Sequence, residues 1–292
     1  MRPFEDYNPI VHLVYFVSCS AIVMFFLQPV TVVLSLLGAL SLFFVRRRLA
    51  EGRSHLYSLA LFLVMALLNP LFNHNGATVL LLINHNPVTL EAAVYGIFAA
   101  AMLLAVLYWF RTFSQIMSSD KLLYLFGGVS PKLALILSMA LRYVPLFAKQ
   151  AKRVNDTQRA MGLYREENLI DNTRAGTRVF SVMVTWGLEN GIVTADTISS
   201  RGYGVGKRTQ YTLYRFYRTD VLLLCITLLL LGVVVVGGAL GALDMQWYPT
   251  LHLPRTDALA LVTYIAYALL SFLPTILEIG ERARWNCLQS RI

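Results

Sequence analysis

Six stretches of the chain run for 17 to 23 residues without a single Asp, Glu, Lys or Arg. They are Ile10–Leu27, Pro29–Val45, Leu56–Phe72, Ala92–Phe110, Val221–Leu243 and Ala258–Leu277. A bilayer core of ~30 Å takes about 20 helical residues to cross. Each stretch therefore predicts a membrane span, and Gln28-Pro29 predicts a tight turn between the first two. With 57% of all residues apolar and only 14% charged, a soluble globular enzyme is excluded. Met1–Pro9 contains Glu5 and Asp6, and no small-residue cleavage site follows the first apolar run, so no cleavable signal peptide is expected.

Charge sets the expected orientation. Six spans put both termini on one side, and 24 of the 25 Lys and Arg residues fall there, including Arg46-Arg47-Arg48, Arg53 and 16 residues within 111–220. Arg255 is alone on the other side. Both termini are thus predicted to be cytoplasmic by the positive-inside rule, which also explains the net charge of +9 without a nucleic-acid partner. Cys19, Cys225 and Cys287 are too scattered for a disulfide framework or a thiolate metal site.

Segment 111–220 is the departure from a plain bundle. Ser130-Pro131 reads as a helix start, followed by apolar Leu133–Phe147, interrupted only by Arg142, and then by Lys149, Lys152, Arg153, Asp156 and Arg159. A second apolar stretch, Val179–Ala195, carries Glu189 and Asn190. Were both to span, seven positive charges between 149 and 178 would have to be translocated, against the rule just used. Both are expected as long amphipathic helices at or below the inner face. Pro145 is placed to kink the first, and Glu189 to face a cation or a partner.

The two helices are expected to end alike, at Gln158-Arg159-Ala160-Met161-Gly162 and at Ser199-Ser200-Arg201-Gly202-Tyr203-Gly204. Each closes on Gly, the usual residue for the left-handed stop, with Arg in the last turn. An Arg complements a helix C-terminus locally, but a projecting guanidinium also suits a carboxylate in a partner's groove.

Smaller signals weigh less. Asn73-His74-Asn75 and Asn84-His85-Asn86 flank Ala77–Ile83, which reads as an external strand-like segment between Asn-rich turns rather than a metal site. Asn155-Asp156-Thr157 is a sequon on the wrong side for glycosylation. Trp109, Trp247 and Trp285 fall near the expected membrane boundaries, where interfacial Trp is common. Gly206-Lys207 is preceded by Arg201 and followed by Arg208 where a phosphate-binding loop needs Gly and Ser/Thr. The chain is therefore not expected to bind or hydrolyse ATP, and no cofactor or metal is expected.

Three elements together carry a family resemblance: Ala140-Leu141-Arg142-Tyr143-Val144-Pro145, then Gln158 to Gly162, then Ser200-Arg201-Gly202-Tyr203-Gly204, continuing through Lys207-Arg208-Thr209 to Asp220. The chain resembles the transmembrane coupling subunit (T component) of energy-coupling factor transporters, which are ABC-type importers of vitamins, metal ions and other micronutrients. The resemblance implies a multi-pass protein of a prokaryotic plasma membrane. It implies two ATP-binding cassette subunits and a small substrate-binding membrane subunit as partners. It also implies two coupling helices, each ending in an Ala-Arg-Gly-like motif whose Arg enters a groove on an ATPase.

Arg201, with Ser200 and Gly202, matches the second motif. The first departs from the pattern: Met161, between Ala160 and Gly162, stands where the family has Arg. Arg159 is two residues earlier and about 200° around the helix. Either Met161 makes an apolar contact, or Arg159 reaches round the last turn. Arg142, Pro145 and Glu189 are expected as structural residues of the coupling helices.

The expected architecture is an all-α polytopic membrane protein with a short external strand-like segment. Residues 1–110 hold four spans and external loop 73–91, residues 111–220 the cytoplasmic coupling domain, and residues 221–292 two spans and a cytoplasmic tail. The competing function is a permease that binds and translocates its own substrate. That needs polar groups at mid-membrane, which the six runs nearly lack. A membrane-embedded enzyme would need clustered acids or His at one boundary.

Overall fold

The structure is a computed structural model that describes residues 4–46, 52–73, 75–83, 86–162, 169–206, 214–252 and 254–289. Arg47, Arg48, His74, Asn84, His85, Arg165, Lys207, Arg208 and Thr209 lie outside them. Nine α-helices, one 3-10 turn (Phe4–Asp6) and one two-stranded hairpin make up the regular structure of the described residues, in two compact units, one of residues 1–118 with 214–292 and one of residues 119–213.

The first unit holds α1 (Pro9–Phe25), α2 (Pro29–Arg46), α3 (Gly52–Phe72), α4 (Leu90–Ile116), α8 (Arg218–Ala239) and α9 (Ala258–Gln289). The helices start and stop where side chains satisfy the free backbone ends. Asn8 accepts from the Ile10 N–H at 3.0 Å ahead of Pro9, a start suited to a proline with no N–H to lose. Asp220 lies in the first turn of α8 and accepts from the Tyr217 N–H at 3.0 Å, the acid's half of a capping box.

Helices α4, α2, α9, α8 and α1 contact each other in a closed ring, and α3 packs outside it on α4. Inside the ring Tyr15, Phe16, Trp109, Phe43 and Tyr267 are buried. Lipid tails are as apolar as Leu, so burial alone does not hold such helices together; close approach and buried hydrogen bonds do. Gly38 lets α2 approach α9 so closely that a Cβ there would stand 2.8 Å from the Cβ of Ser271. The Tyr15 hydroxyl donates to the Leu270 carbonyl at 3.0 Å, and Ser41 and Thr275 hydroxyls pair at 3.0 Å.

Among the described residues, six helices are long and apolar enough to cross a membrane: α2, α3 from His55, α4, α8, α9 and, in the second unit, α6 (Pro131–Ala160). Helix α1, expected among the spans, has 17 residues, about 26 Å, and sits at the short end of the usual range. Helix α9 runs to Gln289, so Arg282, Arg284 and Trp285 stand on a continuous helix rather than in a loose tail. At 32 residues it is about 48 Å long, well beyond the ~30 Å core.

Trp109 corrects an expectation. It is fully buried, and its indole N–H donates to Ser35 Oγ at 2.9 Å. Its sequence position gave depth along α4 but not the direction of the side chain. Trp247 is also largely buried and donates to the Leu27 carbonyl at 3.1 Å.

The strand-like segment is β1 (Val79–Ile83), and it pairs antiparallel with β2 (Asn86–Thr89), which was not anticipated. Glu91 anchors this hairpin by accepting from the Thr78 N–H at 3.2 Å. Asn73 donates to the Tyr248 hydroxyl at 3.1 Å, and the Ala77 N–H to the Pro249 carbonyl at 3.1 Å. These bonds tie the hairpin loop to the α8–α9 connection. Burial pushes the Tyr248 phenol up, with Tyr95 beside it adding to the shift.

Candidate functional site

The second unit contains α5 (Ser119–Val129), α6 (Pro131–Ala160) and α7 (Leu169–Ser200). Helix α5 was not expected as a separate element. Ser130 is the N-cap of α6, without a side-chain bond to the first turn. Helix α6 continues through Pro145 to Ala160, although Pro145 has no N–H to give the Leu141 carbonyl.

Helices α6 and α7 meet at one crossing. The Tyr143 and Thr194 hydroxyls pair at 2.6 Å. One turn later on α6, Phe147 lies edge-on to Trp186, ring centroids 5.2 Å apart. Phe147 also covers Gly187, where a Cβ would stand 2.8 Å from Phe147 Cζ. Advancing along α6 meets earlier positions on α7, so the two C-terminal arms leave the crossing in opposed directions.

Arg142 and Pro145 are exposed on α6 beside the crossing, and Glu189 is exposed on α7. Asn190, next to Glu189, is half-buried and donates to the Trp186 carbonyl of its own helix at 2.8 Å. The structure brings together Tyr143, Phe147, Trp186, Gly187 and Thr194, and sequence reasoning assigned no role to the last four. A bare glycine within an otherwise bulky apolar run was the available signal.

The two arms end by the same device. At α6 the Met161 N–H bonds to the Thr157 carbonyl and the Gly162 N–H to the Arg159 carbonyl, both at 3.0 Å, with Gly162 at φ +69°. At α7 the Arg201 N–H bonds to Thr197 at 3.2 Å and the Gly202 N–H to Ser199 at 3.0 Å, with Gly202 at φ +78°. The Tyr203 N–H reaches back to Ile198 at 3.3 Å, which completes a Schellman motif. Met161 and Arg201 are therefore equivalent: each is the last residue before the left-handed glycine.

The correspondence extends inward. Asp156-Thr157 matches Asp196-Thr197, and each Thr hydroxyl donates to the carbonyl four residues earlier, Arg153 at 2.8 Å and Val193 at 2.7 Å. The glycine stop alone does not define a site. Helix α8 ends the same way at Gly241, φ +79°, with the Ala242 N–H on the Gly237 carbonyl at 3.0 Å. What sets the two arms apart is exposure: Arg159, Ala160, Met161 and Gly162 are exposed, and so are Ser200, Arg201 and Gly202. Among the described residues, no three His, Cys, Asp or Glu gather closely enough to hold a metal ion.

These features define a polytopic membrane protein with a second helical unit that carries two exposed, equivalently built helix ends. The chain belongs to the CbiQ family, described as cobalt transport protein, which it matches over residues 2–213. It is similar to the energy-coupling factor transporter transmembrane protein EcfT of Lactobacillus helveticus, with 28% identity over 107 residues, 36% of this chain and 39% of that protein. It is also similar to EcfT 1 of Listeria monocytogenes serotype 1/2a, with 26% identity over 106 residues, 36% of this chain and 40% of that one. EcfT of Lacticaseibacillus paracasei is 31% identical over 91 residues, 30% of this chain and 34% of that one. The matched stretches span about two fifths or less of these relatives' length.

Proposed function

We propose that the chain is the energy-coupling membrane subunit of an ATP-driven, ECF-type importer, with no catalytic step of its own. In this reading two ATP-binding subunits hold the α6 and α7 ends in their grooves. When ATP draws those subunits together, the ends are carried with them, and the angle at the crossing changes. The change passes to a separate small membrane subunit that binds the micronutrient and releases it inward. Residues 111–220 form the coupling domain, and residues 1–110 and 221–292 anchor it in a prokaryotic plasma membrane with both termini inside.

The observation that carries this reading is the pair of equivalent exposed ends, Met161-Gly162 and Arg201-Gly202, in a chain of the CbiQ family. Arg201 has the fork geometry for a carboxylate, and its position after the last helical turn leaves it unshielded. Arg142, Pro145 and Glu189 serve the shape and outer surface of the coupling helices.

The test is purification of the tagged full chain from native membranes beside an Arg201→Glu variant. Wild type should bring down ATP-binding subunits and a small membrane protein, and the variant should lose the ATPases. Wild type that purifies alone yet transports a solute would make the chain a permease.

A further inference from the structure

The connection between α3 and α4 has the composition of the spans it joins. From Ser54 to Leu90 the chain holds no Asp, Glu, Lys or Arg. The α8–α9 connection, to which the hairpin loop is hydrogen-bonded at Asn73 and Ala77, carries Asp244, Arg255 and Asp257. Two connections on the same side of the bundle therefore differ sharply in chemistry.

The surface of the hairpin matches its composition. Val79, Leu80 and Leu82 of β1 are all exposed, Leu82 to 73%. Strand β2 runs into α4 with no residue between them, so the base of the hairpin lies at the level where that helix begins. Helix α3, which touches β2, ends in exposed Leu71 and Phe72. The apolar surface of the hairpin is thus an extension of the apolar surface of two membrane helices. Five residues of β1 carry it about 17 Å outward from its base.

Such a hairpin is poorly suited to water. Two strands alone are marginally stable there. With only two strands in the sheet among the described residues, β1 and β2 each keep one edge without a neighbouring strand. An apolar run such as Val79–Ile83 on an open edge recruits other chains. Residues 75–90 also contain no Phe, Tyr, Trp or Arg, the side chains that anchor protein–protein interfaces. Acyl chains need no such anchors. The open edges in turn limit the depth, because unpaired backbone groups are costly in the hydrocarbon core. At headgroup level water still reaches them, and an apolar face can sink ~5–10 Å into the boundary.

We infer that the β1–β2 hairpin is a lipid-binding element. It lies along the membrane surface with Leu80 and Leu82 among the upper acyl chains and its strand edges at headgroup level. It acts as an outrigger for the end of α3, which packs outside the ring of helices. The proposed topology makes this the outer leaflet; the lipid contact itself does not depend on which leaflet it is.

The test reads depth. A nitroxide is attached at Leu80→Cys or Leu82→Cys in the full chain lacking Cys225 and Cys287, reconstituted alone into phosphatidylethanolamine–phosphatidylglycerol vesicles. Collision with oxygen, which partitions into lipid, is compared with collision with a water-soluble nickel chelate. Exposed Leu67 on α3 and exposed Leu251 in the α8–α9 connection, each changed to Cys, give the lipid and aqueous references. The oxygen-to-nickel ratio at 80 and 82 should exceed that at 251 by about threefold or more. A smaller ratio puts the hairpin in water and overturns the inference. Shielding from both reagents puts it against protein, a second copy of the chain, and overturns it equally. Neither result bears on the coupling reading.

A second measurement needs no substitution. A phospholipid with a diazirine near the top of its acyl chain, photolysed with the unmodified chain in the same vesicles, should label residues 79–83 and spare 244–252. Absence of label from 79–83 overturns the inference whatever the labelled variants do.

Discussion

Phe147 closes over the bare backbone of Gly187, where a new Cβ would stand 2.8 Å from the ring's Cζ. The ring edge, not backbone, is what a new Cβ would meet, so a small side chain displaces the ring and a large one forces the helices apart. Gly187→Leu should therefore uncouple the arms. The ATP-binding subunits should still co-purify, because both ends are untouched, while substrate uptake by reconstituted transporter falls about tenfold or more. Tyr143→Phe removes only the bond to Thr194 and should cost about 1 kcal/mol of stability with a smaller loss of uptake. Unchanged uptake in Gly187→Leu would show that the crossing transmits nothing.

Two glycines on the helices predict opposite signs. Gly38→Ala places a Cβ against the Cβ and carbonyl of Ser271, at 2.8 and 3.0 Å, and the backbone carbonyl has little freedom to yield. Thermal unfolding of the purified chain should show destabilisation of about 1–3 kcal/mol. Gly176, in α7, has nothing within 4 Å of a new Cβ. Gly176→Ala should stabilise by up to ~1 kcal/mol through helix propensity alone.

These contrasts mark the limit of what the sequence carried. The uncharged runs announced α2, α3, α4, α8 and α9, because a span must satisfy its backbone internally and exclude charge. They did not announce α5, whose 11 residues mix Asp120, Lys121 and Gly127-Gly128, nor β2, whose four residues include Pro87. Hydropathy placed Trp109 near the end of an apolar run but did not give its direction into the bundle. Among the site residues, Gly162 and Gly202 marked both helix ends from sequence. The equivalence of Met161 with Arg201 needed the hydrogen-bond register, and the crossing needed Tyr143 to meet Thr194, 51 residues on in the chain.

Trp109 yields the largest stability prediction. Its indole fills the centre of the ring of helices and donates to Ser35. Trp109→Ala should destabilise by about 3–5 kcal/mol. Ser35→Ala leaves the indole N–H buried without its acceptor and should cost about 1–3 kcal/mol. Because both remove one bond, the double variant should lose clearly less than the sum, measured by unfolding in a fixed detergent.

Arg46 separates a useful ion pair from an idle one. Its guanidinium meets Glu278 at 3.3 Å, with side chains 12% and 14% exposed, and Glu5 at 2.7 Å, where Glu5 is 55% exposed. The shorter contact is the weaker contributor, because water competes far more for Glu5 than for Glu278. Glu5→Gln should change stability by less than ~1 kcal/mol. Glu278→Gln keeps an acceptor for the Arg46 Nε–H and leaves Glu5 in place, so it should cost about 1–3 kcal/mol, still more than Glu5→Gln. Equal effects from the two would mean that burial does not decide the pair.

Helix α6 is the remaining test of topology, since it is long and apolar enough to span while its charge pattern opposes translocation. The two readings place position 161 on opposite sides. With α6 at the inner face, a thiol introduced as Met161→Cys in a chain lacking Cys225 and Cys287 stays unlabelled by a membrane-impermeant maleimide on intact cells. It reacts once the cells are opened. With α6 and α7 both crossing, position 161 faces outward and labels at once, while Arg201→Cys remains protected in either case. Leu251, exposed in the α8–α9 connection, supplies the outward reference: Leu251→Cys should label on intact cells. Protection at 161 together with labelling at 251 supports six spans with both termini inside, and labelling at 161 would remove the α6 end from reach of any cytoplasmic ATPase.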